Sequence, residues 1–301
     1  MSTQSNAMPD AQVLAAPALP STRPFYWSLR RELWENRYLY IAPLATAAVI
    51  LLAHSISMIR IGHIAQQLDG LDPIKHHDAI AKHYDVAAGM LMAVQILMGV
   101  YYSLEALYAE RRDRSILFWK SLPVSDTATV LSKASVPIII IPLIATVVSI
   151  ILLWIMLIVQ SAAYAATGQS VSALWKELAL VDVSMGLAFH LLAMHALWHA
   201  PFYGWFLLVS SWAKRAPLLW AFLPPVAVYG LEKMLFNTTH FLNLISYRLA
   251  GGPNDMDFPI HPGMHVMAWQ YFTSRGLWNG FIFTAICIFG AIRMRRYRGP
   301  S

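Results

Sequence analysis

The chain has 301 residues, of which 57% are hydrophobic and only 13% are charged, with 11 tryptophans and a net charge of +6. That is the composition of a membrane protein. The single cysteine, Cys287, excludes a disulfide framework within one chain, and without a GxxxxGK[ST] phosphate loop the chain is not expected to hydrolyse ATP by itself.

Residues 1–22 mix Ser, Ala, Gln and Pro without periodicity and read as a disordered tail, with no apolar core of a secretory signal. Residues 24–40 place Tyr26, Leu29, Leu33 and Tyr40 at helical spacing, with Phe25 beside them. Arg31 and Glu35 fall on the opposite face, in register for an i,i+4 pair. Aromatic and basic residues on one helix suit a position in the membrane interface; the plainer alternative is a polar extension of the first span.

A membrane crossing needs about 20 apolar residues to traverse about 30 Å of hydrocarbon. Such runs occur at about 41–58, 86–108, 134–159, 183–212, 217–236 and 271–292. The expected fold is therefore an all-α membrane protein with six spans, forming one transmembrane domain over residues 23–301. Pro137 and Pro142 fall early in the third span, Pro224 and Pro225 near the middle of the fifth, and Pro201 is expected to kink the long fourth. Residues 59–85 read as a solvated polar loop with Asp69, Asp72, His76, His77, Asp78, His83 and Asp85, at spacings that match no metal site. Residues 237–270 open with an amphipathic stretch, Phe241, Leu242, Leu244, Ile245 and Leu249, stopped by Gly251, Gly252 and Pro253. This apolar loop is expected to dip into or cap the outer leaflet.

Between spans two and three lies ERRDRSILFWKSLPVSDTATVLSK, Glu110 to Lys133. Arg111, Arg112, Asp113 and Arg114 form a charge cluster; Ile116, Leu117, Phe118 and Trp119 form an apolar knob followed by Lys120. Pro123 predicts the end of a short helix, and Ser125 or Asp126 the N-cap of the next. A knob ringed by charge reads as a docking surface for another protein, or as a segment resting on headgroups with Trp119 as anchor.

Lys and Arg concentrate on the cytoplasmic side of membrane proteins. One set of alternating segments holds 15 of the basic residues, from Arg23 through the 111–133 loop to Arg298, and the other set holds 7. The bias predicts both termini in the cytoplasm and places the knob where a soluble partner reaches it. It also removes any need to explain the basic excess by nucleic acid.

Polar groups within spans are functional suspects. Gln95 is mid-span, and His190, His195 and His199 line the fourth span, the last two sharing a face. Without HExxH or a nearby carboxylate, no metal is expected. Gln95, His195 and His199 are candidates for a translocation path. Glu105, at the end of span two, is placed to pair with the loop arginines.

The Glu110–Lys133 stretch resembles the coupling region of type-2 ABC exporter permeases: a charge cluster, a short helix, a turn with Pro, then Ser, and a Lys opening the next span. Phe118 to Leu122, Pro123, Ser125 and Lys133 match that pattern, and His195 to Pro225 is similar to a bacterial branch of these permeases. The Gly-Thr pair common after the charge cluster is replaced here by Arg114 and Ser115. The resemblance, over about residues 24–298, implies a permease dimer carrying two ABC ATPase subunits in a bacterial inner membrane. Arg111, Arg112, Asp113, Arg114, Phe118, Trp119 and Lys120 would couple it to the ATPases, in which ATP and magnesium bind; this chain itself holds no cofactor. Two other classes compete: a membrane-embedded enzyme using His190, His195 and His199, and a secondary transporter without an ATPase. A transporter of that kind usually shows internal repeats, and none is visible in the sequence.

Overall fold

A computed structural model describes residues 22–59, 73–121, 124–249 and 271–297. Residues 1–21, 60–72, 122–123, 250–270 and 298–301, and with them the expected tail and much of the expected apolar outer loop, lie outside the described residues.

Lipid offers no hydrogen bonds, so an apolar run must satisfy its own backbone, and here it does so as helix throughout, with no strand among the described residues. α1 spans Thr22–Glu35, α2 Tyr38–Ile59, α3 Pro73–Glu105, α4 Tyr108–Arg112 and α5 Ile116–Ser121. α6, Asp126–Ser135, passes through a π turn, Val136–Ile140, into α7, Ile141–Ala166. α8 is Val171–Leu178 and α9 Leu180–Phe189, followed by a second π turn, His190–His195, then α10, Ala196–Trp198, and α11, Ala200–Trp212. α12 spans Pro217–Phe236, α13 His240–Leu249 and α14 Arg275–Tyr297. Among the described residues six helical stretches are long and apolar enough to cross a membrane, as in a multi-pass membrane protein.

Two stretches differ from the sequence reading. Residues 73–85 belong to α3 instead of a solvated loop: Pro73 provides a pre-set first turn, and Ile80, Tyr84, Ala87 and Leu91 are one buried stripe at helical spacing. Between the expected third and fourth spans lies a further helix, α8, whose first turn is capped by Ser170 Oγ accepting from Ala173 N at 3.3 Å. α6 begins at Asp126, where the N-cap reading places it, with Ser125 Oγ accepting from Ala128 N at 3.1 Å.

The break in the fourth span has a local cause. Pro201 has no N–H, and the amides of Phe202 and Tyr203 both turn to His199 O, at 3.0 and 3.4 Å. The carbonyl of Trp198 is thereby left without its usual partner four residues on.

Two layers of core stack along the bundle. At one end Tyr84, Ala87 and Leu91 of α3 pack with Leu152, Leu153 and Met156 of α7 and with Leu187 and Leu191. Toward the other end Leu39, Met98, Tyr102, Ala134, Ile141 and Leu207 form a second cluster. α11 and α14 approach closely at Gly204, where a Cβ would stand 3.2 Å from Thr284 Cγ2. α12 is the least covered helix and exposes Leu218, Leu219, Phe222, Val226 and Leu231.

Candidate functional site

The second core layer ends in charge. Glu32 of α1 is 1% exposed and Lys133 of α6 is 3% exposed, and Lys133 Nζ lies 2.8 Å from Glu32 Oε1 and 3.2 Å from Glu110 Oε1. Arg295 of α14 bridges Glu110 and Asp126, its Nε 3.1 Å from Asp126 Oδ1. Arg31 reaches Glu32 at 2.7 Å and Glu110 at 3.3 Å, and the Tyr102 hydroxyl donates to Glu32 Oε2 at 2.8 Å. Three cations thus face Glu32, Glu110 and Asp126, and Arg31 also reaches the exposed Glu35 at 3.6 Å, so the buried part of the cluster is closely balanced in charge. Burial pushes the Glu32 carboxyl up, but Lys133 and Arg31 more than offset it and hold the group below the usual carboxylate range. The network joins α1, α4, α6 and α14 at one end of the bundle.

The loop between spans two and three is built directly on this network. Arg114 takes a left-handed conformation, φ +58°, which favours glycine; the turn keeps a glycine-like shape where the sequence has Arg114 and Ser115. α5 follows, with Trp119 N donating to Ser115 O at 3.1 Å. Ile116 is buried, whereas Leu117 and Phe118 are 58% and 60% exposed. Lys120 and Arg114 are exposed, and Arg112 pairs at the surface with Asp113 at 2.9 Å and with Glu105 at 3.6 Å, the pairing the position of Glu105 predicts.

Two members of the sequence-defined group face inward instead. Arg111 is 3% exposed and donates to the carbonyls of Ser210 and Ala213, at 2.8 and 2.6 Å. It closes the last turn of α11, where backbone acceptors have no helical partners, so it is a staple and not a rim charge. Trp119 is half-buried, with the Arg31 guanidinium 3.8 Å from its ring centre. A cleft of about 300 Å³ runs beside it, lined by Glu32, Glu35, Tyr102, Glu105 and Asp113 among others.

The candidate path residues sit deeper. Gln95 is fully buried, and neither atom of its amide has a hydrogen-bond partner. Ser149 Oγ and His195 Nε2 are buried and unpartnered too. Gln95, Ser149 and His195 each lie one turn, in the same direction along the bundle, from Leu91, Leu153 and Leu191 of the first core cluster. His199 Nδ1 lies 2.9 Å from the carbonyl of His195, and the two rings are 4.3 Å apart. Among the described residues no group of three or more side chains could hold a metal ion. A buried amide without partners costs stability that an apolar isostere recovers. Gln95→Leu is therefore expected to raise stability in detergent by about 1–3 kcal/mol; lowered stability would show that Gln95 is satisfied in the folded protein.

Glu32, Glu110 and Arg295 were not singled out from the sequence. Their signal was present: Lys133 opens a long apolar run, and Glu32 interrupts an aromatic helix. Charge in such places calls for a partner.

Comparison with known protein families, curated proteins and solved structures finds no match to this chain.

Proposed function

We propose that this chain is the transmembrane subunit of an ATP-driven exporter of the type-2 ABC class, with α5 as its coupling helix. The observation that carries this reading is the mounting of α5. It presents Leu117 and Phe118 outward from a turn fixed to α1, α6 and α14 by buried ion pairs. A helix held this way passes a displacement to the bundle instead of absorbing it, because paired buried charges cannot separate cheaply. Two ATPase subunits, holding ATP and magnesium, would each dock on one copy of α5 in a permease dimer. α5 and both termini would then face the cytoplasm of a bacterial cell, across its inner membrane. α1 fits the interfacial role, with Tyr26, Trp27 and Trp34 exposed and Arg30 stacked on both tryptophan rings at 5.2 and 4.8 Å.

Co-expression with an ABC ATPase from the same genome tests this. The expected product is a complex of two permease and two ATPase chains whose ATP hydrolysis depends on the permease. Full transport by the permease alone in liposomes would overturn the reading.

A further inference from the structure

At the end of the bundle opposite the charge cluster, Arg248 of α13 points into the protein. It is 8% exposed. Nη1 donates to the carbonyl of Trp198 at 3.3 Å and Nη2 to the carbonyl of Gly276, while the guanidinium stacks 4.4 Å from the Trp198 ring centre. The Trp198 carbonyl is one of those freed by the break at Pro201, so the kink and the arginine fit each other. α14 makes room with glycines: a Cβ at Gly280 would stand 2.6 Å from Nη2 of Arg248, and one at Gly276 would stand 2.9 Å from the Trp198 ring.

The hydrogen bonds satisfy part of the group but leave its charge without an opposite. Among the described residues none of the partners of Arg248 is a carboxylate, in contrast to the charge-balanced cluster at the other end. A guanidinium has five donors, and these two bonds leave donors over. Trp198 Nε1, on the ring that Arg248 stacks on, is also buried and has no partner. Tyr247 flanks Trp198, ring centres 5.3 Å apart. A buried cation with spare donors, beside an unpartnered indole N–H, is the chemistry of an oxyanion site. The same helix exposes Leu242, Leu244 and Leu249, a surface suited to acyl chains.

We propose that Arg248 and Trp198 form a binding site for an anionic phosphate group, carried by a phospholipid headgroup or by free phosphate. The site does not depend on the exporter reading.

The test uses the purified full-length chain in detergent. Native mass spectrometry compares retention of phosphatidylglycerol and phosphatidylcholine of matched chain length; thermal unfolding is followed with inorganic phosphate against chloride at equal ionic strength. A lipid source predicts preferential retention of phosphatidylglycerol, weakened about tenfold or more in Arg248→Gln, as losing a hydrogen bond to a charged group implies, and largely kept in Arg248→Lys. A free-anion source predicts instead a phosphate-dependent rise in unfolding temperature, lost in Arg248→Gln. If Arg248→Gln does not fold, Trp198→Phe, which removes only the indole donor and keeps an aromatic ring, is expected to weaken the same response severalfold. The proposal is overturned if the wild type distinguishes neither probe, or if the folded variants respond as the wild type does.

Discussion

Lys133→Ala is expected to destabilise the protein by about 3–5 kcal/mol, as removal of one partner from a buried ion pair does. Lys133 touches both Glu32 and Glu110, at 2.8 and 3.2 Å. Its loss leaves two nearly buried carboxylates facing Arg31, Arg295 and the Tyr102 hydroxyl only. Chemical unfolding in detergent measures the effect, and hydrogen exchange should place it in α1 and α6. The double change Glu32→Gln, Lys133→Met should recover much of the loss, because a buried pair exchanged for neutral groups is often nearly neutral in stability. A destabilisation under about 1 kcal/mol would mean that the cluster is solvated.

The same cluster sets an acid limit. The folded-state pKa of Glu32 is below its unfolded value. Its stabilising contribution is therefore complete above the unfolded carboxylate range and is lost as pH falls through the folded value. Stability measured from about pH 7 down to about pH 3 should decline on the acid side, with a shallower slope in Glu32→Gln.

The helices were legible because span length and apolar periodicity are local properties. Ser125 as an N-cap and the disturbance at Pro201 follow from single residues and their neighbours, and both are present. What escaped the sequence depends on where distant residues meet. Arg111 and Arg112 are adjacent and chemically identical, yet one is held on α11 and the other lies at the surface; consecutive helical residues point about 100° apart, and which of the two directions meets α11 is set by packing between distant segments. One pair within the charge cluster, Glu110 and Arg295, lies 185 residues apart in sequence, a separation no periodicity crosses. The helical start at Pro73 was hidden by the polar residues of the first turns, which read as loop when counted by composition.

Replacing Leu117 and Phe118 together by alanine is expected to cost the ATPase complex about 2 kcal/mol or more, the loss typical of a large apolar anchor at an interface centre. That is roughly a thirtyfold weaker association. The pair is the right choice because both side chains are mostly exposed and Phe118 meets its neighbour Trp119 only edge-on, ring centres 4.9 Å apart, so the chain should remain folded and inserted. Trp119→Ala is a poorer probe, since its ring carries Arg31, and a weakened complex could then come from a shifted α1. Arg112→Ala, a surface change paired to Asp113 and Glu105, should act more weakly and more at low salt, through the association rate. Size-exclusion yield of the complex and permease-dependent ATP hydrolysis report the outcome. Normal yield and hydrolysis in the Leu117→Ala, Phe118→Ala chain would leave α5 as a segment resting on headgroups, and the coupling assignment would fall with it.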